Sequence, residues 1–531
     1  MAEALLNDKT IANAVSNIRP RSERQPDVEV LQRTYVETGV LPQLNNANNQ
    51  ILYGRRGTGK SHVLRVLGAA VSDWESATVL YIDIRMLGSA QLMTDQTRPL
   101  STRCVSVFKD LLSLVQGQLL DVATDPRRDG RGMEEVSALA DLVVAKSVEI
   151  STRQVSNTES RSRSDESTDN LALSAKPTFD LGDRSVHGES SEARVDYTEA
   201  LRGTVVFSEV ATALDAALCG LGIDHLYMLV DEWTAIPADV QPYIAEFLKR
   251  AFFPSHKVTI KIASLEYRSR FTISADAGNP VGFELGGDLS ANLDLDDYYV
   301  YDRNPDRVVE MFLELLHKHV EAELPADYLD TLAIADVAAF RSKFFTEHAT
   351  FVELVRAGEG VVRDFLGIFT SAFFRAARSG RQRIDLNSVE EAARDWYETD
   401  KSTVLSEAQR TALNMIMTDV IGKRQAKMFM LAREHANHPM IQGLFDLRLI
   451  HLISRGYSDK ENPGLRYNIF SLDYGTYVDL KRTNSEPEQF TLLEDGNADD
   501  RNDRIVPFKD KRSIRRVILD PAIFDPRQDS P

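Results

Sequence analysis

Apolar and polar positions along this chain follow two rhythms. Gln50, Ile51, Leu52 and Tyr53 form a short run that stops at Gly54, and Val63, Leu64, Val66 and Leu67 then recur at helical spacing. That order predicts strand, glycine-rich turn and helix. Residues 78–84 are mostly β-branched, aromatic or aliphatic and predict a second buried strand. Residues 98–123 place Val105, Phe108, Leu112, Val115 and Leu119 on one stripe, the mark of an amphipathic helix, and 133–146 predicts another. A helix over 206–220, a strand over 226–230, a helix from Pro237 to about 252, and strands over 257–263 and 292–301 follow. Strand and helix in repeated order predict an α/β unit over 1–304, a parallel sheet with flanking helices. From 305 to 402 the periodicity is helical only, with Val308, Phe312, Leu315 and Leu316 on one stripe. Residues 405–456 also read as helices. A polar turn at 458–464 and a strand at 466–470 follow, so 403–482 predicts a small winged-helix unit.

Two stretches break the pattern. Residues 151–170 contain nine Ser or Thr in twenty, and 150–198 reads as a flexible, solvated part of a larger insertion at about 98–200. Its alternative reading is an arm that contacts a protein partner. Residues 483–531 read as a polar linker and C-terminal segment in which 512–519 packs back. The chain has 531 residues, 62 Lys or Arg and 80 Asp or Glu, for a net charge of −18. That argues against coating nucleic acid or an anionic membrane, and leaves room for one local basic face. No run of about 18 apolar residues predicts a membrane span. The first nine residues lack the basic and apolar regions of a secretion signal, so the expected location is cytoplasmic. Two cysteines, Cys104 and Cys219, exclude a disulfide framework or a Cys-rich zinc site.

The chemistry gathers at Gly54-Arg55-Arg56-Gly57-Thr58-Gly59-Lys60-Ser61, a complete G-x-x-x-x-G-K-[ST] loop between a predicted strand and a predicted helix. Its glycines let backbone N–H groups approach phosphates, and the helix start adds positive potential. Lys60 reaches the terminal phosphates and the Ser61 hydroxyl binds Mg²⁺. His62 adjoins the loop and counts with it among the nucleotide-binding candidates. Residues 226–232 form an apolar strand ending in Asp231 and Glu232, the Walker B pattern. Asp231 is the expected metal ligand, and Glu232 the group that activates water.

The segments Tyr53–Ser61, Val230-Asp231-Glu232-Trp233, 241–250 and 472–480 resemble the initiator branch of AAA+ ATPases, and in particular bacterial origin-recognition-like AAA ATPases. The resemblance spans roughly 25–125 and 200–520. It implies a P-loop ATPase core with a helical lid and a winged helix, ATP and Mg²⁺ as ligands, hydrolysis and self-assembly into a homo-oligomer. It implies further that Ser264, at the end of the strand after Walker B, and Arg363, after the glycine-containing 357–360 stretch, report the γ-phosphate. Arg250, Arg268 and Arg270 are candidates to act in trans on a neighbour's nucleotide. The winged helix has two readings, contact with duplex DNA or a packing and regulatory role; DNA contact would run through a helix over 439–454 that offers Arg448 and His451, with Arg455 just after it. Lys460 and Arg466 of the wing and the neighbouring Lys423, Arg424, Lys427 and Arg433 add positive charge. One departure stands out: Lys60 and Asp231 lie 171 positions apart, farther than such cores need. The rival expectation is a slow-turnover nucleotide switch or scaffold working with a protein partner, as in bacterial defence against phage or mobile elements.

Overall fold

The computed structural model describes residues 5–72, 77–125, 131–139, 207–275, 278–301, 304–424, 426–436, 438–458, 464–478, 517–520 and 524. The 150–198 segment lies outside them. The strands in chain order are β1 Gln50–Tyr53, β2 Ala77–Asp83, β3 His225–Asp231, β4 Val258–Ser264, β5 Thr272–Ala275, β6 Gly278–Gly282, β7 Ser290–Asp294, β8 Met428–Ala432, β9 Ile450–Ser458 and β10 Arg466–Leu472. Five of them make one sheet in the order β2-β3-β4-β1-β7, with every pairing parallel. β3 and β4 are buried at nearly every position, as strands covered on both faces must be. The order separates β1 from β3 by one strand. Register aligns Asp83 with Asp231, and Tyr53 with both Ser264 and Asp294, so these residues line the carboxyl ends of the strands. In open α/β sheets that edge is where ligands bind.

One hydrophobic core lies under the helices Leu100–Ala123, Phe207–Gly220 and Gln241–Phe252, where Phe108, Leu214 and Phe247 meet Met228 and Ile260 of the sheet. Leu100–Ala123, which sequence places at the start of an insertion, thus belongs to the α/β core. The other core runs from Leu67 and Leu229 through Phe312, Phe351 and Phe365 to Phe470 and Leu472. It joins the sheet to the helices Pro305–Ala322, Val337–Phe344, His348–Gly358, Val362–Arg378 and Leu386–Trp396 of the lid, and to the C-terminal unit. That unit carries the helices Glu407–Met417 and Pro439–Asp446 and an antiparallel sheet β8-β10-β9, the layout of a winged helix.

The C-terminal unit departs from its sequence reading in one respect. Residues 428–432 and 450–458 are strands, where the apolar pattern predicts helix. The candidate recognition helix ends at Asp446, because Arg448 takes a left-handed φ of 61° and turns the chain into β9. A run such as Met428-Phe429-Met430-Leu431 carries no period that separates strand from buried helix. Pro237 likewise opens a turn, and the helix starts at Gln241 with Pro242 in its first turn. The expected strand at 292–301 stops at Asp294 and gives way to the short helix Asp296–Tyr299. Residues 517–519 return to β8: the amide of Met430 donates to Val517 O, and that of Leu519 donates to Met430 O, both at 2.9 Å.

Candidate functional site

Behind β1 the chain turns through Gly57 (φ 84°) and Gly59 (φ 99°), a left-handed backbone that costs glycine little, and enters the helix Lys60–Ser72. Lys60 folds back over this loop, its Nζ donating to Gly54 O at 2.8 Å and Arg55 O at 2.9 Å. Burial lowers its pKa, against the pull of Asp231 and Glu232. The amide of Arg363 donates to Gly57 O at 3.0 Å, so the first turn of Val362–Arg378 lies directly on the loop. Glu359 (φ 47°) and Gly360 (φ 74°) form the left-handed turn that delivers it there.

These elements enclose a cavity of about 330 Å³ at the carboxyl edge of the sheet. Arg56, Gly57, Gly59, Lys60, Ser61 and His62 line one side, with Asp231, Glu232 and Ser264 opposite and Arg363 from the lid. Gly54, Arg55 and Thr58 do not line it. The Arg55 amide donates to Asp296 Oδ2 at 3.0 Å, and its guanidinium turns away from the cavity. Arg55 is therefore corrected from a nucleotide contact to a residue of the domain junction. His62 is half-buried and held by Leu31 O at 2.6 Å.

Asp231 accepts from Tyr81 Oη at 2.5 Å, and its Oδ1 accepts from the Glu232 amide at 2.8 Å. Glu232 holds a left-handed φ of 54°, an uncommon and strained setting for a non-glycine residue. Arg85, just past β2, lies 3.5 Å from the Glu232 carboxylate and is anchored to Asp83 at 2.6 Å. The buried Ser264 hydroxyl is hydrogen-bonded to that of Ser269.

Sequence reasoning missed Arg85, although its place two positions after a strand that ends level with Asp231 was a readable signal. It also missed the segment 18–25, which closes the cavity with Arg19, Arg21 and Glu23. Nothing in its residue types marked that role.

The donor set fits a polyphosphate and a divalent cation. Arg363 Nε is buried and has no hydrogen-bond partner among the described residues, and Lys60 has only carbonyl oxygens to bond. A Cβ on Gly59 would meet nothing within 4 Å, so its backbone faces open space. Ser61 and Asp231 offer the hard oxygen ligands that Mg²⁺ takes. No group of three or more His, Cys, Asp or Glu among the described residues forms a metal cluster of its own.

The three trans candidates differ. Arg250 is paired with Glu246 within its helix, Arg268 is bonded to Asp446 of the C-terminal unit, and Arg270 is exposed without an ion pair among the described residues.

Of the residues expected to read DNA, Arg448 and His451 are turned inward and Arg455 is exposed. Arg448 pairs with Asp364 and with Asp400, His451 is fully buried, and Arg455 bonds Glu266 and Asp294. The helix Pro439–Asp446 carries no Lys or Arg of its own, and its Asp446 is occupied by Arg268. Reading bases through Arg448 and His451 is thereby corrected: Asp364 and Asp400 hold the one, and Arg55 and Asp473 the other. No described helix is long and apolar enough to cross a membrane.

No protein-family model matches the chain, and no curated protein matches it. Among solved structures it is similar to the ORC2 protein of Aeropyrum pernix in ADPNP–ADP complexes, at 11% identity over 89% of this chain and 97% of that one, with a TM-score of 0.31. It is also similar to the ORC1 protein of Aeropyrum pernix in complex with DNA, at 13% identity over 85% and 94%, with a TM-score of 0.28. RuvB of Thermotoga maritima follows at 9% identity over 73% and 75%, with a TM-score of 0.28. Scores this low add nothing to the fold, which strand order and register define.

Proposed function

We propose that this protein is a Mg²⁺-dependent, ATP-binding and ATP-hydrolysing AAA+ protein whose nucleotide state governs self-assembly and contact with DNA or a protein partner. One observation carries the reading: Lys60, Ser61, Asp231, Glu232, Ser264 and Arg363, drawn from four separate segments, border one cavity. Lys60 and the loop amides hold the phosphates, and Ser61 and Asp231 hold the cation. When bound, Mg²⁺ neutralises charge on the phosphate oxygens. Glu232 orients a water molecule and takes its proton, while Ser264 and Arg363 bond the γ-phosphate.

A second reading has its own support. Glu232 is engaged by Arg85 and Asp231 by Tyr81, so both groups are restrained before chemistry begins. That favours slow turnover and a nucleotide switch acting on a protein partner.

Steady-state turnover and nucleotide affinity of the purified protein test the site. Lys60→Ala should lose tight ATP binding, and Glu232→Gln should bind ATP while turnover falls about 10²-fold or more. Unchanged affinity in Lys60→Ala would remove the assignment. Turnover measured with and without duplex DNA separates the two readings: a rise with DNA supports the motor, and negligible turnover that ignores DNA supports the switch.

A further inference from the structure

Next to the cavity lies a second, buried constellation that the proposed hydrolysis does not use. Arg55 is 1% exposed, His451 0%, Asp473 1%, Lys401 2% and Asp364 0%. They form one continuous chain. Arg55 donates through Nε to Asp296 at 2.8 Å, through Nη2 to Glu359 O at 2.9 Å, and through Nη1 to His451 Nδ1. His451 Nε2 donates to Asp473 at 3.0 Å. Lys401 Nζ lies 2.6 Å from Asp473 and 3.0 Å from Asp364, and Asp364 also receives Arg448. Burial and the Arg55 charge push His451 down to about 4, which fits a neutral ring that accepts on one side and donates on the other. Burial opposes the Asp473 carboxylate, yet Lys401 and His451 hold it well below the usual carboxylate range.

Charges this far from water are tolerated only while every partner stays in place, so the chain fixes spacing. What it fixes is notable for its ends. Arg55 enters the junction while its neighbours Arg56 and Gly57 line the cavity. Asp364 enters the junction while its neighbour Arg363 lines the cavity with an unpartnered Nε. Two pairs of adjacent residues, one on the phosphate loop and one on the lid helix, thus straddle cavity and junction. His451, Asp473 and Arg448 of the C-terminal unit, with Lys401, tie the two together.

We propose that Arg55 and His451 are positioning residues: through them the C-terminal unit holds the phosphate loop and Arg363 at the spacing that distinguishes a nucleoside triphosphate from a diphosphate. The unit then acts on the nucleotide site from behind, without lining its cavity. This rests on the nucleotide-binding reading above.

The test uses the full chain with His451→Leu, which removes both bonds, and His451→Gln, which can restore one. Amide hydrogen exchange without nucleotide is followed in 54–61 and in Val362–Arg378. ADP and ATP affinities are measured in chelator, and kcat and KM with Mg²⁺. In His451→Leu, exchange should quicken in both segments. The preference for ATP over ADP and kcat should each fall about tenfold, with ADP affinity near wild type, and Gln should recover part of each. Exchange confined to β9 and β10 with wild-type nucleotide preference and kcat would overturn the proposal. If His451→Leu does not fold, His451→Gln and Arg55→Lys decide on the same readouts. Lys60→Ala run alongside separates the two claims: wild-type affinity there defeats the nucleotide site, while exchange still judges the junction.

Discussion

Lys261 stands on β4 with its side chain wholly out of water, donating to Asn48 O at 2.7 Å, to Asn46 Oδ1 at 3.2 Å and to Gln50 Oε1. These acceptors tie the start of the sheet to the loop before β1. Burial nevertheless pushes the ammonium down to about 7, from an ordinary 10.5. Between those two values the unfolded chain carries a proton at this position that the folded chain has lost. Stability therefore rises as pH increases from about 7 to about 10.5, by up to about 1.4 kcal/mol per pH unit from this group. Below pH 7 both states are protonated and the slope vanishes. Lys261→Met should flatten the rise, as read from urea midpoints at several pH values. An identical slope in both proteins would show that Lys261 stays charged in the fold.

Gly57 shows how closely the phosphate loop is fitted to the lid helix. A Cβ there would come within 2.9 Å of the Arg363 Cβ and 3.0 Å of Val361 Cγ1, at a backbone φ of 84°. Gly57→Ala should lose about 1–3 kcal/mol of stability through strain and overpacking, and should weaken ATP binding by moving Arg363. A wild-type urea midpoint with wild-type affinity would mean that the lid gives way freely. Gly54 and Gly59 were legible in the sequence because the loop motif fixes them, whereas Gly57 stands at one of its four free positions; the strand ends were legible because Asp231 and Ser264 close apolar runs. Arg363 could be placed in the lid only by resemblance. β8 and β9 were not legible, since their apolar runs look the same for a strand and for a buried helix until pairing with β10 decides. The basic residues of the C-terminal unit misled for a related reason. Arg448 and His451 look like a DNA-facing edge when counted along the chain. Only the docking of that unit on the core reveals Asp364 and Arg55 as their partners.

Self-assembly, as proposed here, makes a prediction that one protomer cannot satisfy. Arg270 follows β4 and is exposed and unpaired among the described residues, whereas Arg250 and Arg268 are engaged within the protomer. A head-to-tail assembly joins unlike surfaces, and an exposed arginine near the sheet's carboxyl edge can then face a neighbour's γ-phosphate. Arg270→Ala should keep ATP affinity and lose about 10³-fold or more in turnover. Arg268→Ala, which frees Asp446, should act instead on the docking of the C-terminal unit. Turnover per protomer should climb with protein concentration. Mixing Arg270→Ala with Lys60→Ala should restore part of the activity that each lacks alone, because an intact loop from one then meets an intact Arg270 from the other. If turnover per protomer is independent of concentration and the mixture stays inactive, the site works within a single chain, and Arg270 is an ordinary surface residue.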